Sequence, residues 1–248
     1  MKQKQSKDFE FINKSVFFPK HGILAIGDLH VGYEQSLRDS GVLMPENQIK
    51  EIINDLEKII KEIRSKNQTL SKIIFLGDVK HYFGYEWKER FYFNKILDFL
   101  SNYFDEENII LIRGNHDTFD FTGKEMKDFF IEEGIAFLHG HKEFKEVFDK
   151  KIKTIVTGHL HSSVLLEDRQ GIKREKYKCY LVGKFKNKTA IILPSFFGII
   201  EGTPVNNTDY NDKDFSIIPT KAISKFRAYV IGEKGEIFNF GEVRKIKS

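Results

Sequence analysis

The sequence predicts an α/β fold, in which a series of buried strands and amphipathic helices is followed by a second, largely antiparallel sheet packed on the first. Short apolar runs alternate with helical patterns over the first two-thirds of the 248 residues, which is typical of α/β architectures. The last third changes to closely spaced short strands with turn residues between them. Hydrophobic residues make up 40% and charged residues 31% of the chain, as in folded proteins.

The elements of the first two-thirds follow from their apolar spacing. Residues 22–27 form an apolar run that is typical of a buried strand. Residues 47–66 carry isoleucine and leucine at helical spacing, and Pro45 just ahead of them suits the start of a helix. The series continues with strands at 72–76 and 108–112, helices at 87–103 and near 124–133, and strands near 135–138 and 153–157.

The last third is expected to form the second sheet. Its predicted strands are 164–167, 177–182, 189–193, 227–231 and 237–240, with turns at Gly171, Asn187 and Gly235. Residues 202–220 are rich in Asn, Asp and Pro and are expected to form a long loop. Because there is no internal repeat and no linker, we expect one domain over 1–248, with its motifs within 23–161 and its second sheet completed by 162–248.

Charge, cysteine content and hydropathy limit the classes of protein that remain. Forty basic and 36 acidic residues leave a formal charge of +4, a balance that does not demand a nucleic-acid partner. Cys179 is the single cysteine, so an intramolecular disulfide and a multi-cysteine zinc site are excluded, and we expect it in a buried strand. The first residues lack the apolar core of a signal peptide, and no apolar run of about 18 residues occurs. We therefore expect a cytoplasmic protein with no membrane partner.

Five short polar segments stand out because each follows an apolar run. Their chemically active side chains are Asp28, His30, Asp78, Asn115, His116, Asp117, His139, His141, His159 and His161. The carboxyl ends of strands in open α/β sheets are where sites assemble, so we expect the five segments to converge. Carboxylate, amide and imidazole donors suit Mn²⁺, Fe²⁺ or Zn²⁺, and a bridging aspartate suits two ions about 3.5–4 Å apart.

Each segment alone has an ordinary structural explanation. Gly-Asp usually marks a turn, Gly-Asn-His-Asp can be a turn or a helix cap, and Gly-His-x-His can be two solvent-facing histidines. Two further facts favour a metal site. All five segments follow apolar strands in one order, and five of the eight histidines stand at motif positions.

The ordered set resembles the motifs of the calcineurin-like metallophosphoesterases. It is most similar to the archaeal-type SbcD-related and DNA-ligase-associated groups, through Gly-Asp-Val-Lys-His at 77–81, Arg-Glu-Lys at 174–176 with Cys179, and Leu-Pro-Ser-Phe at 193–196. The resemblance implies a four-layer αββα sandwich of two packed mixed β-sheets flanked by helices. It also implies that one metal is held by Asp28, His30 and His161, the other by Asn115, His139 and His159, and both by Asp78.

The resemblance implies hydrolysis of phosphodiesters by in-line attack of a hydroxide that bridges two divalent ions, with Mn expected and Fe, Zn or Ni as alternatives. His116 is then the expected general acid, and Asp117 is expected to orient its imidazole. His141, two residues from His139, could replace it as a ligand. His81 stands where the family usually has an acid.

Substrate contacts are less constrained by the sequence. Phosphate contacts are expected from Lys80, His81, His141 and Arg174, with Lys173 and Lys176 as further candidates. The aromatic residues Tyr82, Phe83 and Tyr85 could stack a base, although packing against the following helix is favoured. The leading substrate is a nucleotide or nucleic-acid phosphodiester. The alternatives are a phosphomonoesterase for small metabolites and a non-catalytic metal-binding scaffold for a protein partner.

Overall fold

Two mixed β-sheets packed face to face form the centre of the protein. The structure, a computed structural model, describes residues 8–84, 87–118, 123–168, 173–207 and 216–247. Fifteen residues from both sheets form the buried apolar layer between them, and helices flank the pair. The expected pair of packed mixed sheets flanked by helices is confirmed.

The first sheet has six described strands, arranged in the order in which they occur in the sequence. They are β1 (Glu10–Ile12), β2 (Ser15–Phe18), β3 (Ile23–Ile26), β4 (Lys72–Phe75), β5 (Ile109–Ile112) and β6 (Met126–Lys127). The β1–β2 and β2–β3 pairs are antiparallel, whereas β3 to β6 run parallel. β3 and β5 are buried on both faces, as is β4 from Ile73 to Phe75, which explains the uninterrupted apolar sequences of these strands.

Three helices follow strands of the first sheet, and two of them cover its outer face. They are α1 (Tyr33–Asp39), α2 (Gln48–Ser65) and α3 (Trp87–Leu100). The side chains of Leu56 and Ile60 on α2 and of Phe93 on α3 belong to this outer core, as the helical spacing predicts. The Glu34 carboxylate accepts hydrogen bonds from the backbone N–H groups of Asn47 and Gln48 and so caps the start of α2.

The second sheet has nine described strands, and its centre is parallel. The strands are β7 (Phe129–Glu132), β8 (Ile135–Leu138), β9 (Thr154–Thr157), β10 (Ser162–Glu167), β11 (Arg174–Phe185), β12 (Lys188–Ile192), β13 (Thr203–Pro204), β14 (Arg227–Ile231) and β15 (Ile237–Glu242). Strands β8, β9 and β12 pair in parallel, and the hairpins around them pair antiparallel. A short helix, α4 (Thr220–Ile223), packs on the outer face beside β11.

Several predicted elements need correction. The helix expected near 124–133 is wrong: β6 and β7 occupy this segment, and Glu133 and Gly134, both with positive φ, form the tight turn that pairs β7 with β8. The strands β8 and β9 belong to the second sheet, so they do not continue the first series, and the second sheet is mixed. β1, β2, α1 and α4 were not predicted.

The remaining expectations divide between described and undescribed parts of the chain. The segment 202–220 contains β13 and the start of α4, and its residues 208–215, like the turn expected at Gly171, lie outside the described residues. Cys179 is buried in β11, as expected. No helix in the described ranges is long and apolar enough to cross a membrane.

Candidate metal centre

The five polar segments converge at one edge of the sandwich. Parallel strands β3, β4 and β5 of the first sheet and β8 and β9 of the second all end there. Hydrogen bonds join the two sheets at this edge. The backbone N–H of His159 donates to the Asp28 carboxylate at 3.1 Å, and the His139 Nδ1 atom meets the carbonyl of Leu76 at 2.9 Å.

Four of the candidate ligands sit on an unusual backbone. His30, Asp78, His159 and His161 have φ values of 45°, 46°, 67° and 47°, in the left-handed region that residues with a Cβ rarely adopt. Such strain persists only where the surrounding structure fixes it, and it concentrates at functional sites. The turn after each strand therefore directs these side chains at the cost of local strain.

One group of side chains contains Asp28, His30, Asp78 and His161, whose potential ligand atoms lie within 4.8 Å of one another. The Nε2 atoms of His30 and His161 are 3.1 Å apart. The His161 Nε2 atom lies 3.6 Å from Asp28 Oδ1, and the His30 Nε2 atom lies 3.9 Å from Asp78 Oδ2. This is the group that the sequence assigned to the first metal together with the bridging Asp78.

A second group contains Asp78, His139 and His159, again within 4.8 Å. The His139 Nε2 atom lies 3.0 Å from Asn115 Oδ1, 3.0 Å from His159 Nδ1 and 3.4 Å from Asp78 Oδ2. Asn115 therefore joins this group. Asp78 is common to both groups, so the geometry offers two neighbouring ion positions with one shared carboxylate.

The donor set fits divalent cations. His139 donates its Nδ1 proton to the Leu76 carbonyl, so its Nε2 atom is the one that faces the Asn115 oxygen and a second imidazole. An amide oxygen and two imidazole nitrogens this close together need a cation or a proton between them. Carboxylate and amide oxygens mixed with imidazoles suit borderline ions such as Mn²⁺, Fe²⁺ and Zn²⁺.

Without a metal, two of these imidazoles are neutral, and His139 holds a proton that a bound ion would displace. Burial lowers the pKa of His30 to about 3 and that of His159 to about 4, so both imidazoles are neutral and able to ligate. Burial alone would lower the pKa of His139, but the hydrogen bond and charge of Asp78 raise it to about 9. Burial would raise the pKa of Asp28 and Asp78, yet the surrounding histidines bring Asp78 to about 2 and Asp28 lower still.

His116 lies beside the two groups. Its Nε2 atom is 4.0 Å from Asp78 Oδ2, and its backbone N–H donates to Asp78 Oδ1 at 2.9 Å. The orienting partner of its imidazole is the His81 carbonyl oxygen, 2.6 Å from Nδ1. The Nε2 atom is thus the one that faces the candidate ion positions.

Asp117 has a different task from the one expected of it. Its buried carboxylate accepts hydrogen bonds from the backbone N–H groups of Gly114 at 2.9 Å, Lys80 at 3.3 Å and Val79 at 3.4 Å. These bonds tie the Asp78 turn to the Asn115 turn. Burial raises the pKa of Asp117 to about 6, with the charge of Asp78 adding to the effect.

The two remaining histidines flank the centre. The His81 ring lies 5.6 Å from the His30 ring and stacks on the His116 ring at 5.8 Å. One nitrogen atom of each of these three rings lies within 4.8 Å of the other two. The His141 ring lies 5.1 Å from His139 and 6.0 Å from His159. His139, not His141, supplies the atom that meets Asn115 and Asp78.

The cationic candidates do not reach the centre. The Lys80 ammonium is buried and donates to the loop carbonyls of Tyr82 and Gly84. Arg174 is exposed and pairs with Glu167, which lies five residues beyond the start of β10. At about 3.3 Å per residue, that is about 16 Å from the segment that carries His161.

Two supporting side chains have no signal in the sequence, and a third has one only through the family resemblance. The buried Gln48 donates to the His30 carbonyl at 2.7 Å and accepts from the Gly32 N–H at 3.0 Å, which fixes the His30 turn. The buried Glu89 accepts from the His81 N–H at 2.7 Å. Ser195 donates to the Asp28 carbonyl at 3.2 Å, and only the family resemblance of its segment pointed to it.

Comparisons with known proteins agree with this geometry. The family model described as calcineurin-like phosphoesterase matches residues 21–163. The solved structure of the Pseudomonas putida nuclease MPE aligns with a TM-score of 0.61 at 16% identity, over 97% of this chain and 99% of that chain. Identity this low supports a shared fold alone. No curated protein matches the chain.

Two other solved structures align more distantly. Vps29 with Zn²⁺ from Entamoeba histolytica has a TM-score of 0.37 at 14% identity, over 88% of this chain and 99% of that chain. An uncharacterised predicted phosphoesterase from Streptococcus pneumoniae TIGR4 has a TM-score of 0.35 at 12% identity, over 87% and 91%. These TM-scores are too low to support a conclusion about fold or function.

Proposed function

The chain belongs to the calcineurin-like phosphoesterase family, and we propose that it is a dinuclear metal-dependent phosphodiesterase that acts on nucleic acid. Family membership supports the coarser statement, a metal-dependent phosphoesterase hydrolase. The observation that carries the finer proposal is the shared Asp78, which belongs to two groups of ligands at once. Two ions that share one carboxylate would be able to clamp both the attacking and the leaving oxygen of a phosphoryl centre.

The residues of the chain divide the work. Asp28, His30, Asp78, Asn115, His139, His159 and His161 would hold the ions. Bound divalent ions would supply Lewis acidity toward the phosphoryl oxygens and the attacking water. Asn115 contributes an uncharged oxygen, which limits the negative charge that faces an anionic substrate.

His116 would deliver the proton to the departing alkoxide. Its Nδ1 proton is held by the His81 carbonyl, so Nε2 is the atom that gains and loses a proton, and Nε2 faces the Asp78 carboxylate. The His81 carbonyl takes over the orienting task that the sequence assigned to Asp117. An imidazole fixed in this way can act as a general acid.

The positions of Lys80 and Arg174, two cationic residues expected to contact phosphate, favour diester over monoester substrates. A terminal phosphate carries more negative charge than a diester, and its binding gains from arginine or lysine. The Lys80 ammonium is bound by loop carbonyls, and Arg174 is paired with Glu167. Among the phosphate contacts predicted from sequence, only the imidazoles of His81 and His141 lie near the centre.

Support for a nucleic-acid substrate comes from two sources. The structure that aligns over nearly the full length of the chain is that of a nuclease, although only the fold is shared at 16% identity. The similarity of 77–81 and 193–196 to the SbcD-related and DNA-ligase-associated groups also supports it, and we propose membership of those groups. We propose Mn²⁺ as the native ion because the donors combine hard oxygens with imidazoles.

The test uses the purified protein, loaded with Mn²⁺, and two aryl substrates with the same leaving group. We expect faster hydrolysis of bis(p-nitrophenyl) phosphate than of p-nitrophenyl phosphate, and single-stranded DNA should also be cut. Asp78→Ala should abolish both reactions. Equal turnover by wild type and Asp78→Ala would refute the proposal, and stoichiometric Mn²⁺ with no turnover on any substrate would favour the scaffold alternative.

A further inference from the structure

An exposed phenyl ring lies directly on the imidazole of His116. The rings of Phe83 and His116 stack with centroids 4.1 Å apart and planes inclined by 25°. Phe83 is 59% exposed, so one part of its ring covers His116 while the rest meets solvent. The sequence favoured packing of Phe83 against α3, and the structure places its ring on His116.

The backbone around Phe83 is held from three directions. The Lys80 ammonium donates to the carbonyls on either side, at Tyr82 and Gly84, and the Thr118 hydroxyl donates to the Phe83 carbonyl. Glu89 accepts from the Tyr82 N–H at 2.8 Å. An exposed aromatic ring on a backbone fixed in this way is a preorganised surface, since little entropy is lost when a flat partner binds.

We propose that Phe83 is the stacking platform for one nucleobase of the substrate, the base of the leaving nucleoside. The inference rests on the proposed function, because it places the base relative to the phosphate that His116 serves. His116 gives its proton to the leaving oxygen, so the leaving nucleoside lies on the His116 side of the phosphate. Phe83 covers that same side.

The chemistry of the ring fits this occupant. A phenyl face stacks on any base without hydrogen-bond readout, so the site would accept different sequences. Only one sugar separates the base of a nucleotide from its phosphate. A ring that binds the base is therefore expected close to the imidazole that serves the phosphate, as Phe83 is. Phe83 carries no charge, so the contact adds nothing to the binding of the phosphate itself.

A competing role for Phe83 is to hold the His116 ring in place without touching substrate. That role would lower kcat on every substrate equally, whereas stacking acts only on substrates that carry the base. Three variants separate the two roles. Phe83→Leu keeps apolar contact with His116 but has no flat face, Phe83→Trp keeps the face, and Phe83→Ala removes both.

The kinetic experiment uses a dithymidine phosphodiester and its two analogues in which one thymine or the other is replaced by hydrogen. For the wild type we expect one analogue, the one lacking the leaving base, to lose roughly 5- to 100-fold in kcat/KM. Phe83→Ala and Phe83→Leu should cleave this analogue and the parent equally well, and Phe83→Trp should restore the difference. Phe240→Ala, which removes an exposed aromatic ring on β15, is the matched control and should behave as wild type.

A binding experiment keeps the inference testable if no hydrolysis is found. The Mn²⁺-loaded protein is titrated with thymidine monophosphate and with deoxyribose 5-phosphate, and the ratio of the two Kd values is compared between variants. We expect Phe83→Ala to weaken only the nucleotide, by roughly 5- to 100-fold. Equal Kd ratios for wild type and Phe83→Ala would overturn the platform even if phosphodiesters are hydrolysed, so the two proposals can fail separately.

Discussion

The two sheets bring different chemistry to the metal centre. The first sheet supplies every oxygen donor and one imidazole, and the second sheet supplies imidazoles alone. The donors from the first sheet are Asp28, His30, Asp78 and Asn115, and those from the second are His139, His159 and His161. Both carboxylates therefore stand on the first sheet, and three of the four imidazoles stand on the second.

This division means that neither of the two groups that share Asp78 is complete on one sheet. Each group of ligands takes members from both sheets, and Asp78 of the first sheet belongs to both groups. A bound ion would therefore join the sheets at the edge where the His159–Asp28 and His139–Leu76 hydrogen bonds already connect them. We infer that the first sheet sets how many ions bind, whereas the second sheet completes each position separately.

The largest effect should separate a shared ligand from an unshared one. Asp78→Asn removes charge from both positions, so we expect the loss of both ions and a fall in kcat/KM of roughly 1,000-fold or more. His161→Ala, on the second sheet, should lose one ion only. Metal content by elemental analysis and hydrolysis of an aryl phosphodiester measure both outcomes. Equal metal loss in the two variants would contradict the view that Asp78 serves both ion positions and His161 only one.

The next effect concerns a residue of the first sheet that serves chemistry without holding an ion. His116→Gln should lower kcat on a dinucleotide by roughly 100- to 10,000-fold, since general acids contribute that much. Metal content should stay at the wild-type level. The defect should shrink with a nitrophenyl leaving group, because a good leaving group needs no proton. A variant that loses metal as well would mean that His116 is itself a ligand.

Metal removal should test whether ions join the sheets. A ligand at 100 times its Kd stabilises a fold by about 2.7 kcal/mol, so chelation should lower Tm by roughly 5–10 °C in a chain of this size. His139→Leu should remove the ion held by the second group of ligands. Chelation should then lower the Tm of this variant by less than it lowers the Tm of the wild type. An unchanged wild-type Tm after complete metal removal would show that the sheets hold together without the ions.

The candidate ligands could be picked out from the sequence because each lies close after the strand that positions it. Strand, turn and ligand are contiguous in the segments that carry Asp28, Asp78 and His159, so a local pattern is sufficient. Gln48 and Glu89 could not be found, because each reaches its partner turn from a separate helix. The Asp117 role was missed for the same reason: its carboxylate closes a contact with Lys80, 37 residues away.

The fold shows the same limit. The strand predicted at 22–27 is present as β3, and its side chains alternate between two cores, with Ala25 in the layer between the sheets and Leu24 beneath the helices. The prediction of a helix near 124–133 was wrong because pairing with β8 makes much of this segment a strand. The sequence had assigned β8 to the wrong sheet. Sheet membership depends on which strand edges meet, and apolar runs carry no information about that.

A smaller effect should come from Gln48, which supports the first sheet from α2. Gln48→Met keeps the shape but leaves the His30 carbonyl and the Gly32 N–H without this partner. We expect metal affinity to fall roughly 10- to 100-fold, as for other groups that position ligands, with near-normal kcat at saturating Mn²⁺. Gln35→Met, a change at a half-buried glutamine on α1, is the control. Unaltered Mn²⁺ affinity in Gln48→Met would show that the turn holds His30 by itself.

The smallest effect should come from Ser195, where the segment after β12 supports the first sheet. Its hydroxyl donates to the Asp28 carbonyl at 3.2 Å, and the Phe196 N–H donates to the same oxygen at 3.0 Å, so Ser195→Ala leaves one of two donors. A hydrogen bond of this kind contributes about 0.5–1.5 kcal/mol to the free energy of unfolding. Ser15→Ala is the matched control, because Ser15 is also buried and bonds a carbonyl, that of Ile12, away from the centre. Denaturant unfolding should give similar losses for both variants, while Mn²⁺ affinity should fall, by a few-fold, in Ser195→Ala alone. If both variants leave Mn²⁺ affinity unchanged, the second sheet acts on the ions through its imidazoles only, and the Asp28 turn needs no help from across the sandwich.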